Sequence, residues 1–159
     1  MQDSSKDSFI KLYHEYKQPV FTIVYRIVQS IELAEDVMQD VFLKIYISPP
    51  DNSIRNVRAW IFQVARNQAI DVWRRNQRER DVQEANVMDD NISLIHLKMD
   101  LESAMSKLPC DEREIVTLHL NAELTFIEIG KIVGLSLPST YRKYQKALKT
   151  LQKLLGGAV

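Results

Sequence analysis

The chain has 159 residues, of which 45% are apolar, and its 21 basic side chains balance its 21 acidic ones. This length suits one ordinary domain or two small ones, and the apolar content is enough for at least one buried core. Four glycines and a single cysteine, Cys110, argue against a sheet-rich fold, a glycine-rich phosphate loop, an internal disulfide and a cysteine-rich metal site.

The amino-terminal residues, MQDSSKDSF, are polar and acidic, unlike the start of a secretory signal. No apolar run is long enough to cross a bilayer. The sequence therefore predicts a cytoplasmic chain with no membrane insertion of its own.

Apolar residues at steps of three and four predict three helices in the first half of the chain. They run over about Phe9–Val28, Glu32–Ile47 and Val57–Arg78. Pro19 lacks a backbone N–H, so it is predicted to kink or divide the first helix. We assign residues 5–80 to a first helical domain.

A charge shift follows, because residues 81–97 hold four acidic side chains and no Lys or Arg. Residues 81–94 are interpreted as an acidic linker. Four further helices are predicted over about Ile95–Met105, Asp111–Asn121, Phe126–Val133 and Pro138–Leu155. They form a second domain, residues 95–156, so the predicted fold is all-α with two small helical domains.

The second predicted helix has one broad apolar face and an unusual opposite stripe. Asp36, Gln39, Asp40 and Leu43 lie on this stripe, together with Ile47. An acidic stripe is usually a solvated surface, but two large apolar side chains within it favour contact with a protein partner.

The third predicted helix combines an aromatic side chain with amides and arginines on one side. The residues of this set are Trp60, Gln63, Asn67, Asp71, Arg74 and Arg75. Rings stack on bases, amides read base edges and guanidinium groups hold phosphates, so the pattern suits opened or single-stranded nucleic acid. The alternative is that Trp60 belongs to the core and the arginines form a solvated helix end.

Residues 125–147 have the pattern of a helix-turn-helix. Thr125 and Glu128 form a capping box, Gly130 allows close helix approach, Gly134 permits the turn and Pro138 suits a first helical turn. The last helix exposes hydroxyls at its start and cations behind them, which suits insertion into a DNA major groove. A basic solvated helix is the alternative interpretation.

The sequence contains few candidate residues for enzyme catalysis. His14, His96 and His119 lie far apart in sequence, without metal-ligand spacing, and no Ser, Cys or His occupies a recognisable nucleophile context. We predict a protein that is not an enzyme and needs neither cofactor nor metal.

Two stretches of the chain resemble a known family. AEDVMQDVFLKIY (34–46) followed by AWIFQVARNQAIDVWRRNQR (59–78) resembles the promoter-melting domain of bacterial extracytoplasmic-function (ECF) sigma factors. Residues 108–148 resemble the domain of the same family that binds the upstream promoter element. The resemblance implies a subunit that binds core RNA polymerase, recognises promoter DNA and opens it.

The resemblance also implies roles for individual residues. The surface that grips core polymerase would contain Asp36, Gln39, Asp40 and Leu43. The surface at the minus-ten element would contain Arg58, Trp60, Gln63, Asn67, Asp71, Arg74 and Arg75. The surface at the minus-thirty-five element would contain Ser139, Thr140, Arg142, Lys143 and Lys146. An anti-sigma protein is the expected regulator.

The start of the last helix departs from the family pattern. This chain has Pro138-Ser139-Thr140-Tyr141-Arg142-Lys143 where family members usually carry Gly-Thr-Val-Lys-Ser-Arg. Thr140 replaces an apolar anchor, so the preferred DNA sequence cannot be transferred from the family to this chain.

Two other functions fit part of the pattern. A dimeric helix-turn-helix regulator would use the last helix but would not need the stripe on the second helix or the Trp60 face. A protein-only adaptor would leave the basic last helix without a role.

Overall fold

A computed structural model of the chain describes residues 2–51, 53–82 and 96–156, with side chains described for 4–51, 53–79 and 101–156. These residues form seven helices and no strand, which confirms the predicted all-α fold. The helices are α1 (Gln2–Val28), α2 (Ile31–Ile47), α3 (Val57–Val82), α4 (His96–Ser106), α5 (Cys110–Leu120), α6 (Phe126–Val133) and α7 (Leu137–Leu154).

Helix α1 differs most from its prediction, because it begins seven residues earlier, at Gln2, and Pro19 does not divide it. On the C-terminal side of the proline, Val20, Ile23 and Val24 are fully buried. Packing of this stripe against α2 and α3 offsets the backbone hydrogen bond that proline removes. The predicted acidic linker, residues 81–94, lies outside the described residues apart from positions 81 and 82, which continue α3.

Helices α1, α2 and α3 pack around a common apolar core. Helix α2 contributes Ala34, Val37, Val41, Phe42 and Ile45, the face predicted from its periodicity. Helix α3 contributes Ile61, Phe62, Ala65 and Ala69, whereas Val57, Val64 and Val72 are only partly buried at the edge of this core.

The same core continues into the C-terminal half of the chain. Ile115 and Leu118 of α5, Leu124 of the following turn, and Ile129 and Ile132 of α6 belong to one buried cluster with α1 and α3. The two halves predicted as separate bundles are therefore packed directly against each other. A second, smaller cluster joins α4, α5 and α7 through Met105, Leu108, Val116, Ala147 and Leu151.

A buried arginine, Arg113 of α5, connects the ends of two helices across this interface. Its guanidinium group donates to the carbonyls of Met105, Ser106 and Leu108 at the end of α4, and to the carbonyl of Arg26 near the end of α1. Terminal carbonyls have no partner within their own helix and carry partial negative charge. They therefore stabilise the buried guanidinium charge of Arg113.

Arg26, on α1, is also buried and makes the reciprocal contacts. Its guanidinium donates to Thr117 Oγ1 at 3.1 Å, to Asn121 Oδ1 at 2.8 Å and to Glu102 Oε1 at 2.9 Å. Glu102, Thr117 and Asn121 thus bind the two terminal nitrogens of Arg26, whereas its buried Nε has no hydrogen-bond partner among the described residues. None of the helices that the structure describes is long and apolar enough to span a membrane.

Candidate functional site

The predicted stripe on α2 is exposed along its full length. Asp36, Gln39, Asp40 and Leu43 all face solvent, and Leu43 and Ile47 are 55% and 70% exposed. Ser30 caps the helix by accepting a hydrogen bond from the Leu33 amide. The opposite face of α2 is buried in the core, so the stripe is free to contact a second molecule.

Two apolar grooves flank Ile47. One lies between α1 and the end of α2 and is lined by Phe9, Leu12, Tyr46 and the Pro49-Pro50 turn. The other lies between α2 and α3 and is lined by Ile47, Trp60 and Val64. Trp60 therefore borders the α2 stripe as well as the polar side of α3.

On α3, the predicted nucleic-acid residues separate into two groups. Gln63, Asn67, Asp71, Arg74 and Arg75 are exposed, and Asp71, Arg74 and Arg75 line a shared depression with Arg78. Trp60, by contrast, is half-buried and packs against the core. The ring therefore contributes to the core, and contact of Trp60 with nucleic acid stays a prediction.

Arg58 is held by several partners at the start of α3. It lies 3.4 Å from Glu123 and 3.7 Å from Glu15, and its guanidinium covers the ring of Tyr16. A hydrogen bond with Tyr16 and the two carboxylates raise the pKa of Arg58 above its usual value. Asn56 caps the helix by accepting from the Ala59 amide, and its own amide donates to Glu128.

The helix-turn-helix forms with the predicted caps. Thr125 Oγ1 accepts from the Glu128 amide while the Glu128 carboxylate accepts from the Thr125 amide. Burial acts to raise the pKa of Glu128, but these hydrogen bonds and the one from Asn56 outweigh it and hold the pKa below its usual value. Gly134 ends α6 with φ of 78°, a conformation that favours glycine.

Five residues of α7 were predicted to contact DNA, and they differ in their exposure and in their hydrogen-bond and ion-pair partners. Arg142 is exposed and donates to Ser139 Oγ, which also lies beside the cap residue Ser136. Lys146 is 77% exposed and 3.9 Å from Glu112. Lys143 forms an ion pair with Asp111, which raises the pKa of Lys143 and lowers that of Asp111.

The inclusion of Thr140 in the DNA-contacting set is wrong. Its side chain is fully buried, and its hydroxyl donates to the Ser136 carbonyl at 2.8 Å. It faces Gly130, where a Cβ atom would lie 3.1 Å from Thr140 Oγ1. Thr140 therefore keeps the anchoring position of the apolar residue it replaces and satisfies its hydroxyl through the preceding turn.

Sequence reasoning missed the residues that join the two halves of the chain. Arg66 of α3 donates to Glu114 of α5 at 2.7 Å, and both side chains are mostly buried. Burial raises the pKa of Glu114 even though Arg66 acts to lower it. The sequence did contain one sign of this contact between the two halves. Arg26 interrupts an apolar stripe of α1, and a buried arginine needs a polar partner from elsewhere in the chain.

Comparison with known proteins identifies both halves. Residues 12–79 match Sigma-70 region 2, and residues 98–151 match Sigma-70 region 4. The ECF RNA polymerase sigma factor SigM of Bacillus subtilis strain 168 is 29% identical over 133 residues, which span 79% of this chain and 82% of SigM. SigW of the same bacterium, another ECF sigma factor, is 22% identical over 98% of this chain and 92% of its own length.

The fold is shared with solved structures. The sigma factor RpoE of Bartonella quintana, crystallised with the anti-sigma factor NepR, superposes with a TM-score of 0.77 at 20% identity, covering 93% of this chain and 96% of that one. CnrH, in complex with the cytosolic domain of CnrY, gives a TM-score of 0.68 at 20% identity over 97% and 91% of the two chains. With both sigma-70 regions present in order on this all-helical fold, the chain belongs to the ECF RNA polymerase sigma factors.

Proposed function

We propose that this sigma factor uses three separate exposed surfaces, one for core polymerase and two for promoter DNA. The α2 stripe of Asp36, Gln39, Asp40 and Leu43 binds core RNA polymerase. The polar side of α3 binds the minus-ten element as it opens, and α7 binds the duplex of the minus-thirty-five element.

The observation that carries this assignment is the exposure of three chemically different surfaces on three helices. An acidic stripe with Leu43 and Ile47 suits a protein, because apolar side chains gain from being covered and the carboxylates favour a basic rim. The α3 surface has amides and arginines next to a half-exposed ring. The exposed cations of α7 suit phosphates.

The two DNA-binding surfaces act on different states of the promoter. Cations and hydroxyls of α7 can contact duplex DNA, whose phosphates and groove edges are accessible. Trp60 gains little from a closed duplex, since stacked bases hide their flat faces. An unstacked base in the opened strand offers such a face, and stacking on it is typically worth about 1–3 kcal/mol.

On this proposal the chain itself catalyses no bond formation, and core polymerase performs the chemistry. It acts in the cytoplasm as two domains, residues 5–80 and 95–156, joined by the acidic segment 81–94. RpoE was solved with the anti-sigma factor NepR, and CnrH was solved with the cytosolic domain of CnrY. This supports regulation of the present chain by an anti-sigma protein.

Reconstitution tests the proposal. The purified chain is added to core RNA polymerase, and run-off transcripts are sequenced from a library of promoter fragments. We expect transcripts that start at discrete positions downstream of two shared elements. Core polymerase without the chain is the control, and equal initiation with and without the chain would contradict the proposal.

A further inference from the structure

The first turns of α7 expose apolar side chains beside the polar ones that were predicted to contact DNA. Leu137 and Tyr141, one helical turn apart on the same side of α7, are 47% and 48% exposed, and Pro138 also faces solvent. Tyr141 is one of the positions at which this chain departs from the family pattern. In a helix-turn-helix the N-terminal residues of the second helix are the ones that reach base edges, so Tyr141 occupies a position from which a base can be read.

Contacts with α6 and α5 fix the direction of the Tyr141 ring. The ring meets Phe126 edge to face, with centroids 5.4 Å apart and planes at 87°, the arrangement that aromatic pairs favour. Phe126 in turn stacks on His119 at 4.3 Å, and the Nδ1 of His119 donates to the Leu124 carbonyl at 2.9 Å. The ring is therefore ordered before any DNA arrives, which lowers the entropy that binding would cost.

Gln145, one helical turn after Tyr141, is oriented by the tyrosine hydroxyl. Its Nε2 donates to Tyr141 Oη at 2.8 Å. A glutamine amide has two N–H donors and one acceptor oxygen, so this bond leaves one N–H and Oε1 for another partner. The hydroxyl thus presents the amide with one donor and one acceptor side by side.

This donor and acceptor match one base better than the other three. In the major groove adenine presents the N7 acceptor beside the N6 amino donor, which pair with an amide N–H and an amide oxygen. Guanine presents two acceptors, so Oε1 would face an acceptor with no proton between them, and cytosine and thymine would leave part of the amide unpaired. Thymine also carries a methyl group, which gains from contact with an apolar ring edge.

We propose that Tyr141 and Gln145 together determine which base pair is read at one position of the minus-thirty-five element. Gln145 binds the adenine of an A·T pair, the Tyr141 hydroxyl orients the amide, and the Tyr141 ring packs against a neighbouring thymine methyl. Neither residue belongs to the five of α7 that the sequence predicted to contact DNA. The inference rests on the proposed function, which places α7 in the major groove of this element.

Three substitutions separate the parts of this proposal. Gln145→Ala removes the amide, and Tyr141→Phe removes the orienting hydroxyl but keeps the ring and its packing on Phe126. Tyr141→Ala removes both the hydroxyl and the ring. Gln152→Ala is the matched control, because Gln152 is an exposed glutamine of the same helix two turns beyond Gln145, further from the end that meets the bases.

The first measurement is a selection on DNA. Holoenzyme reconstituted with core polymerase binds promoter fragments whose upstream element is randomised, and the bound fragments are sequenced. We expect wild type and Gln152→Ala to enrich A·T at the same position. Gln145→Ala should lower that enrichment by about five-fold or more, the usual discrimination of a bidentate contact, and Tyr141→Phe should lower it less.

The second measurement tests the ring. Replacing the thymines of the selected element with uracil, one at a time, removes a methyl group and leaves every hydrogen-bonding group in place. At one thymine this exchange should weaken binding of wild type and of Tyr141→Phe by up to about four-fold, the effect expected for one buried methyl group. Binding of Tyr141→Ala should not respond to the exchange, because the ring is absent.

Unchanged base preference at every position in Gln145→Ala would overturn the proposal, and so would an equal response of wild type and Tyr141→Ala to uracil at every thymine. The unfolding midpoint of each variant checks folding, and Tyr141→Phe and Gln145→Ala carry the test if Tyr141→Ala is destabilised. A wild-type holoenzyme that enriches no upstream element would contradict the proposed function as well. An enriched element that no variant alters would overturn this inference alone.

Discussion

At the scale of single residues, Gly130 determines how closely α6 approaches the turn before α7. A Cβ atom at this position would lie 2.6 Å from the Leu135 carbonyl oxygen, a backbone atom that cannot move away by a side-chain rotation. The Gly130 carbonyl also accepts hydrogen bonds from the amides of Gly134 and Leu135. The turn of the helix-turn-helix therefore packs directly against the backbone of Gly130, where there is no side chain.

We predict that Gly130→Ala lowers the free energy of unfolding by about 1–3 kcal/mol, the usual effect of overpacking a tight site. Urea unfolding followed by circular dichroism measures the change. Gln152→Ala, at an exposed position of α7, is the control and should leave the midpoint unchanged. A midpoint for Gly130→Ala equal to wild type would show that the turn can move away from α6.

Residues of the α2 stripe allow function to be separated from folding. Asp40 and Leu43 are exposed, and the core of α2 lies on the opposite face. We predict that Asp40→Ala and Leu43→Ala weaken binding to core polymerase while leaving the unfolding midpoint close to wild type. We expect each substitution to reduce affinity by about 1 kcal/mol, roughly a factor of five, which is the threshold that distinguishes the minority of residues that dominate an interface.

A pull-down titration with core polymerase measures this affinity. Glu35→Ala is the matched control, because Glu35 is an exposed acidic residue of the same helix, about 100° from Asp36 around its axis. If all three variants bind polymerase as wild type does, the stripe is a solvated surface.

At the scale of elements, α7 presents two kinds of basic side chain. Arg142 is exposed at the end that follows the turn, whereas Lys143 is engaged by Asp111 of α5. We therefore predict that Arg142→Ala affects promoter binding more than Lys143→Ala. Loss of a single phosphate contact should lower the salt slope of binding by about one unit, and loss of a base contact should cost about 1–3 kcal/mol and relax specificity.

Holoenzyme binding to a promoter fragment, titrated over a range of salt concentrations, measures both quantities. The folding control is the unfolding midpoint of each variant. An Arg142→Ala holoenzyme with wild-type affinity and salt slope would mean that α7 does not contact this element through Arg142.

The elements themselves could largely be predicted from the sequence, because their signals are local. Helix α6 begins and ends at the predicted residues, since the Thr125–Glu128 capping box and Gly134 act within one helical turn. The start of α1 was missed, because residues 2–8 are polar and lack an apolar stripe. The last helix was predicted to run from Pro138 to Leu155, and α7 begins one residue earlier and ends one residue earlier.

The candidate surfaces were predicted less completely than the helices. Exposure of the α2 stripe follows from helical periodicity, which places it opposite a uniform apolar face. The burial of Thr140 does not follow, because a short hydroxyl side chain fits both a DNA-facing site and a buried one that offers a carbonyl partner. Glu123, which pairs with Arg58, and Glu114, which pairs with Arg66, lie 65 and 48 residues away in sequence, so no local pattern predicts these pairs.

At the scale of the whole molecule, the balanced charge of the chain has a structural explanation. Acidic side chains of region 4 face region 2, where they pair with Arg26, Arg58 and Arg66, while the exposed cations of α7 face outward. A net charge of zero thus coexists with acidic and basic side chains that lie on different parts of the molecule.

The central claim is that the exposed side of α3 opens promoter DNA after the duplex has been bound. Asn67 is exposed, and the half-buried Trp60 lies two helical turns before it. We predict that Asn67→Ala and Trp60→Ala holoenzymes bind the closed promoter nearly as wild type but open it poorly. Loss of a stacking contact of about 1–3 kcal/mol at Trp60 lowers the equilibrium constant for promoter opening by roughly five- to 150-fold.

Permanganate footprinting of unpaired thymines, on the promoter found by run-off sequencing, is the measurement that tests this claim most directly. Glu35→Ala holoenzyme serves as the control and should open the promoter at the wild-type rate. A pre-melted promoter bubble should restore transcription more fully for Asn67→Ala than for Trp60→Ala, because only Trp60 supplies a ring for stacking. Wild-type permanganate reactivity in both variants would contradict the account and would leave Trp60 with a role in the core alone.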